Sequence, residues 1–103
     1  MLKKFAGPSS LALAVSLLTA SVVHANPSGE EVVAGAADFV RAASSLNILQ
    51  QSDKVIINWQ DFSVGADELT SFIQPSALSS ALNRITSGNP SQILGTLQAN
   101  GQV

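Results

Sequence analysis

The sequence predicts an all-β chain that follows a short apolar leader. Polar and apolar residues alternate in short runs, and turn-forming residues separate these runs at intervals of roughly ten residues. After position 25, Ser, Thr, Asn and Gln together supply about a third of the sequence, whereas charged residues are few. The surface of a helical bundle would carry more Lys and Glu, so this composition favours strands.

The leader has the composition of a secretory signal peptide. Lys3 and Lys4 precede an apolar run at positions 11–23, and the letters VHA then offer the small residues that a signal peptidase accepts. A membrane-spanning helix needs roughly 20 apolar residues, which is more than this run provides. We therefore expect a signal peptide helix.

Cleavage between Ala25 and Asn26 would divide the chain into a signal peptide, residues 1–25, and a mature segment, residues 26–103. This division implies transport by the Sec machinery and removal of the leader by signal peptidase. The mature segment has three basic and seven acidic residues, a net charge of −4. Such a segment lacks the basic stripe that nucleic-acid binding requires, so no nucleic-acid partner is expected.

The sequence contains no cysteine, although exported domains of this size usually need disulfides. Two explanations follow: the chain oligomerises, or it is one end of a longer structure. Near the last residue, Asn100-Gly101 is a strong turn signal that predicts half a hairpin, with a second strand only begun at Gln102-Val103. This pattern favours the longer structure.

Strands are predicted wherever one face of the alternation is apolar. Gln60-Asp61 breaks the alternation and predicts a corner or bulge. A sandwich, a barrel and a β-solenoid all agree with short strands separated by corners. The predicted faces are Leu46 and Ile48; Val55, Ile57 and Trp59; Phe62 and Val64; Leu69, Ser71 and Ile73; and Ile93, Gly95, Leu97 and Ala99.

Residues 77–85 fit two structures. The spacing of Ala77, Leu78, Ala81, Leu82 and Ile85 is typical of an amphipathic helix. A strand would instead place Ala81, Asn83 and Ile85 on one face. The sequence leaves this choice open.

The segments VIINWQDFSVGADELTSFIQPS (55–76) and ALNRITSGNPSQILGTLQANGQV (81–103) resemble a known family, and VVAG and LNILQQS match its opening strands. The family is the haemagglutination-activity domain, the N-terminal secretion domain of filamentous-haemagglutinin-type two-partner secretion exoproteins. The resemblance implies a right-handed parallel β-helix, a solenoid with a small antiparallel N-terminal cap. It also implies that residues 26–103 form an incomplete domain, because family members continue into an Asn-Pro-Asn-Gly motif.

By this resemblance, the chain is a secretion-targeting and folding-nucleating domain of a large adhesin-like or haemolysin-like exoprotein. Its partner would be an outer-membrane barrel transporter with periplasmic receptor domains, and the protein would pass through the periplasm to be secreted or held at the cell surface as a virulence factor. The identity of the passenger, whether adhesin, haemolysin or contact-dependent toxin, stays open. Transporter recognition or the fold motif would depend on Asn58, Trp59, Asn83, Arg84, Asn89 and Pro90.

Within a solenoid, inward side chains form an apolar column, and asparagines at corners bond the next coil. Trp59 could stack on carbohydrate, but the apolar alternation around it favours core packing. The column is predicted to contain Val55, Ile57, Phe62, Val64, Ile73, Ile93 and Leu97, and the corners Asn58, Asn83, Asn89 and Asn100.

The alternative function is an adhesin module that itself binds host glycans or receptors, although few aromatic residues are available for a binding face. Host-surface ligands could instead be bound by the passenger. An enzyme is not expected, because the only histidine, His24, leaves with the signal peptide. The acids Asp61, Asp67 and Glu68 suit a solvated turn better than a catalytic group. No cofactor and no metal site are predicted.

Overall fold

The computed structural model describes residues 26–103, and the predicted signal peptide helix and Ala25 lie outside this range. Within it the chain forms strands and no helix, which confirms the predicted all-β class; accordingly, no apolar helix of membrane-spanning length occurs there. The strands are β1 (Glu31–Ala34), β2 (Ala37–Arg41), β3 (Ser45–Gln50), β4 (Lys54–Trp59), β5 (Leu69–Ile73), β6 (Ser80–Ile85) and β7 (Thr96–Ala99).

The strands form two sheets, and from β1 to β7 the chain changes sheet at most connections. One sheet has the order β1-β4-β6 and the other the order β2-β3-β5-β7. At one edge of each sheet, β1 pairs with β4 and β2 pairs with β3 in antiparallel fashion. All other strand pairs are parallel, so successive passes of the chain lie on top of one another.

Each pass of the chain through the two sheets is called a level below, and the parallel registers show that successive levels contain similar numbers of residues. Ile48 lies beside Phe72, and Phe72 in turn lies beside Ala99. In the other sheet, Val55 lies beside Ala81 across a similar interval of the chain. An inward residue of one pass therefore stacks on an inward residue of the next.

The core lies between the inner faces of the two sheets. It joins Leu46, Ile48 and Phe72 of one sheet to Val55, Ile57, Trp59 and Ala81 of the other, with Phe62 from the corner after β4. The predicted inward faces of β3 and β4 are therefore confirmed, as is burial of Phe62 and Val64.

The predicted face of β5 is wrong by one residue. Ile73 is 49% exposed, whereas Thr70 and Phe72 are buried. Phe72 contributes its ring to the core, and the inward Thr70 donates its hydroxyl to Asn26 Oδ1, 2.8 Å away. A satisfied hydroxyl can be buried at little cost, so the larger Phe72 determines which face turns inward.

Two other members of the predicted column, Ile93 and Leu97, are 44% and 36% exposed. Leu97 occupies an inward position, because it lies beside Thr70 in the register of β5 and β7. It stays accessible because β7 is the edge strand of its sheet.

The ambiguity over residues 77–85 is resolved in favour of a strand at Ser80–Ile85, whereas Ala77 and Leu78 lie in a turn. The whole of β6 pairs with β4, and this tertiary pairing overrides the local helical spacing. Leu78 and Leu82, which would line the apolar face of a helix, are 78% and 53% exposed.

The predicted hairpin at Asn100-Gly101 is also wrong. Gln102 does not return beside β7 but forms an isolated parallel bridge with Ser80 of the other sheet. The dipeptide is therefore a corner between sheets. The chain turns at this point because Asn100 and Gly101 both bond Gln74 at the corner of the preceding level.

Candidate functional site

Four of the six residues predicted for recognition lie on the paired strands β4 and β6. The indole Nε1 of Trp59 donates a hydrogen bond to Asn83 Oδ1 at 2.9 Å, between neighbouring levels. Trp59 is fully buried, so this contact belongs to the interior. The prediction that Trp59 serves the core rather than carbohydrate stacking is therefore confirmed.

Trp59 is also the centre of an aromatic row. Its ring centroid lies 5.7 Å from that of Phe39 and 5.3 Å from that of Phe62, both edge-to-face. Phe62 stacks on Phe72 at 6.5 Å, so the row connects β2 with β5 through the core. Each edge-to-face pair contributes about 0.5–1.5 kcal/mol beyond its buried area.

Asn58 and Arg84 face the opposite side of the same strands. Arg84 Nε donates to Asn58 Oδ1 at 2.9 Å, on the outer surface of the sheet. In the register of β1 and β4, Glu31 lies beside Asn58. Glu31, Asn58 and Arg84 thus form a polar row across three strands, which we call the outer polar row.

Asn89 and Pro90 lie apart from these pairs, in the exposed connection that follows β6. The backbone N–H of Asn89 donates to Ser87 Oγ at 3.2 Å, and Ser87 Oγ donates to Gln60 O at the corresponding corner of the previous level. The structure therefore places the six predicted residues at three locations: the core, the outer polar row and this loop.

The asparagines were predicted at corners, and the structure bears this out only in part. Asn58 and Asn83 lie inside strands, where they bond side chains of neighbouring strands. Asn100 is at a corner and does bond the backbone of the adjacent level: its Oδ1 accepts from Gln74 N, and its Nδ2 donates to Gln74 O.

A buried polar network at this corner was missed by the sequence analysis. Gln74 Nε2 donates to Gln50 Oε1 at 3.2 Å and to Gln102 O at 3.0 Å, while Gln50 Nε2 donates to Ser80 O at 3.0 Å. Both glutamines are 5% exposed. The network therefore ties together three successive passes of the chain. The only signal for it is the spacing of the two glutamines, which equals the register interval between β3 and β5.

The start of the described segment is anchored in the same way. Asn26 is 5% exposed and accepts the Thr70 hydroxyl through Oδ1 at 2.8 Å, and Pro27 beside it is fully buried. Asn26 is the residue after the predicted cleavage position. Cleavage itself stays a prediction, because Ala25 lies outside the described residues.

Two of the three acids considered for catalysis have structural contacts. Glu68 Oε1 accepts the N–H of Gly65 at 2.8 Å, which closes the turn before β5. Asp61 Oδ1 accepts Ser63 Oγ at 3.4 Å. Across residues 26–103, the acidic side chains form no group of three with the geometry of a metal site.

The sequence pattern of the TPS secretion domain family matches residues 23–103. Two curated relatives are heme/hemopexin-binding proteins of Haemophilus influenzae, 42% identical over 77 residues and 44% identical over 61 residues. These matches cover 75% and 59% of this chain, but only 8% and 7% of the relatives.

A crystal structure with a similar fold is that of the HMW1 secretion domain from Haemophilus influenzae. It is 36% identical in sequence, with a TM-score of 0.71, over 76% of this chain and 21% of that chain. The chain therefore spans less than a tenth of the curated relatives that it matches and about a fifth of the similar structure.

Proposed function

Since the chain belongs to the TPS secretion domain family and thus to a class of secretion-targeting domains of exported proteins, we propose that an outer-membrane partner recognises it directly. The observation that carries this proposal is the family match over residues 23–103. The partner would be a barrel transporter with periplasmic receptor domains. The domain would leave the periplasm through it and become secreted or surface-attached.

The proposed folded form outside the cell is a right-handed parallel β-helix with an antiparallel cap formed by β1 and β2. Stacked parallel pairs at similar intervals along the chain support it, as does the general right-handedness of connections between parallel strands. In such a fold each added level stabilises the one before it. Folding of the chain at the cell surface would therefore favour its outward movement without hydrolysis of ATP.

The absence of cysteine supports the same mechanism. The periplasm is oxidising, and a disulfide closed there would prevent an extended chain from passing through a narrow pore. The buried contacts of the core could then form only after transport. Among these contacts are the Trp59–Asn83 bond and the network around Gln74.

The six predicted residues divide into two roles under this proposal. Trp59 and Asn83 act through the fold, because their bond is in the interior. Asn58 and Arg84 in the outer polar row, and Asn89 with Pro90 in the exposed loop, are available to contact the transporter. Charge and hydrogen bonding rather than apolar burial would dominate such a contact.

The test is a secretion assay in cells that carry the partner transporter, with the chain extended through the Asn-Pro-Asn-Gly motif that the resemblance implies, and with periplasmic and external protein measured separately. Asn83→Ala and Asn89→Ala should each abolish external protein and leave the periplasmic pool, and Arg84→Ala should do the same. Gln98→Ala is the matched control, because its Nε2 bonds Ser71 Oγ at 2.9 Å on the outer face of the other sheet. Normal secretion of all three variants would refute the assignment of these residues.

The alternative, an adhesin module that binds host glycans or receptors, has less support. Glycan binding usually uses exposed aromatic rings, but Trp59, Phe62 and Phe72 of the described segment are buried and Phe39 is half-buried. The names of the curated relatives refer to heme and hemopexin binding by much longer proteins. We therefore do not extend that binding to this segment.

A further inference from the structure

Asn100-Gly101 is the only Asn-Gly pair in the sequence. In this pair the side-chain carboxamide carbon is open to attack by the following backbone nitrogen, since glycine offers no side chain to hinder the approach. The attack needs a Gly101 nitrogen free to lose its proton and an Asn100 side chain free to turn toward it. Both conditions depend on the local structure.

The folded structure removes both freedoms. Asn100 Oδ1 accepts Gln74 N at 2.7 Å, and Asn100 Nδ2 donates to Gln74 O at 2.8 Å. The Gly101 N–H donates to Gln74 Oε1 at 2.8 Å. All groups that must react are therefore bonded to the preceding level of the stack.

The corner is also too crowded for the movement that the reaction needs. A Cβ placed on Gly101 would lie 2.8 Å from both Gln74 Oε1 and Ser79 O. Ser79 is fully buried and Gln74 is 5% exposed, so neither neighbour can shift without opening the network. The close approach holds the Gly101 nitrogen in place.

We propose that Asn100 is a site of spontaneous deamidation whose reaction is confined to the unfolded chain and blocked by the fold. Gly101 N attacks Asn100 Cγ, the bond from Cγ to Nδ2 breaks, and ammonia leaves with the proton from the nitrogen. Water then opens the resulting succinimide to aspartate or isoaspartate. No oxidant or reductant takes part.

The product cannot restore the native corner. Aspartate would place an oxygen where Nδ2 now donates to Gln74 O, so two acceptors would face each other. Isoaspartate would in addition lengthen the backbone by one carbon. A chain that stays unfolded for long thus acquires a permanent chemical change at the corner that ties the levels together.

The test compares two Asn-Gly pairs in one molecule. Pro90→Gly creates a second pair at Asn89, which lies in the exposed loop after β6. The purified variant is incubated in mildly alkaline buffer with and without urea, and peptide mapping quantifies deamidation at both sites. Circular dichroism in each condition establishes that the chain is folded in buffer and unfolded in urea.

In buffer, Asn89 should react at least about tenfold faster than Asn100, a ratio that corresponds to about 1.4 kcal/mol of local protection. In urea the two rates should converge. Equal rates at the two sites in buffer would overturn the proposal.

A second pair of variants tests the product of the reaction. Asn100→Asp should lower the urea midpoint, whereas Asn89→Asp should leave it unchanged, because only Asn100 is bonded through its side chain to Gln74. Equal midpoints for both variants would contradict the proposed damage to the corner. None of these outcomes depends on a transporter, so this inference stands apart from the proposed function.

Discussion

Register partners at the two ends of the stacked sheets differ strongly in burial, although both are apolar. Leu46 and Leu97 belong to one inward row, yet Leu46 is fully buried and Leu97 is 36% exposed. Trp59 and Ile85 are register partners that are 0% and 38% exposed. In a stacked fold, burial therefore depends on whether neighbours lie on both sides of a residue, and residue type alone does not determine it.

The antiparallel strands β1 and β2 explain why the inward residues of β3 and β4 are buried. β1 and β2 cover the outer edges of β4 and β3, and Val32, Ala37 and Phe39 from these strands pack against the core. β1 and β2 thus supply hydrogen-bond partners to the backbone of β4 and β3, and they remove apolar surface from water in both sheets. At the other end, β6 and β7 are edge strands.

The largest expected difference in stability between the two ends is at the register pair Trp59 and Ile85. Trp59→Ala should lower the free energy of unfolding by about 3–5 kcal/mol, because it leaves a large cavity and removes the donor to Asn83 Oδ1. Ile85→Ala, at the accessible partner position, should cost about 1 kcal/mol or less. Urea denaturation followed by circular dichroism checks this, since Trp59 is the only tryptophan and its fluorescence is lost with it.

A stricter form of the comparison uses the same substitution at both ends. We expect Leu46→Ala to lower the free energy of unfolding by about 2–5 kcal/mol and Leu97→Ala by about 1 kcal/mol, since less apolar area is removed from water around Leu97. The urea midpoints of the two variants give the answer directly. Equal losses would mean that the exposed row is buried in solution, for instance by self-association.

Loss of a buried polar contact should also cost more stability than loss of an exposed one, although both costs should be smaller than those of the apolar substitutions. Gln74→Ala removes bonds to Gln50, Gln102 and Gly101 inside the corner, and should cost about 1–3 kcal/mol. Gln98→Ala removes a single bond from an exposed side chain to Ser71 and should cost about 0.5 kcal/mol or less. Thermal unfolding of both variants is the measurement, and a costlier change at Gln98 would argue against the described network.

The smallest effect on stability is expected at the outer polar row. Arg84→Ala removes a hydrogen bond to Asn58 between side chains at the surface, so the free energy of unfolding should change by about 0.5 kcal/mol or less. Combined with loss of secretion, an unchanged urea midpoint would separate recognition from folding. A large drop in the midpoint would instead show that Arg84 acts through the fold.

The sequence predicts strand positions well where the two faces of a strand differ in polarity. In β3 and β4 most apolar residues lie on one face, and the apolar inward residues Leu46, Ile48, Val55, Ile57 and Trp59 were predicted correctly. In β5 the face with more apolar residues, Leu69 and Ile73, is not the one that carries Phe72 into the core, and the outcome depends on Phe72 and on the bond from Thr70 to Asn26. That bond joins residues 44 positions apart, so no local pattern contains it.

The candidate site was predictable only in part for the same reason. Residue types pointed to Asn58, Trp59, Asn83 and Arg84, but their division between core and surface follows from the pairing of β4 with β6. The network around Gln50 and Gln74 was missed because their relation depends on the register of β3 and β5. Without a register, two glutamines so far apart in the chain have no reason to be associated.

The bond between Asn26 and Thr70 has a kinetic consequence. It closes a loop of 44 residues, and the entropy lost in closing a loop grows with its length. Ser28 can pair with Asp61 before β5 is in place, but the Asn26 side chain cannot form its bond until Thr70 of β5 is present. A chain that folds from its first strands onward would pass through a stage in which Asn26 lacks its partner, and placement of Thr70 would end that stage.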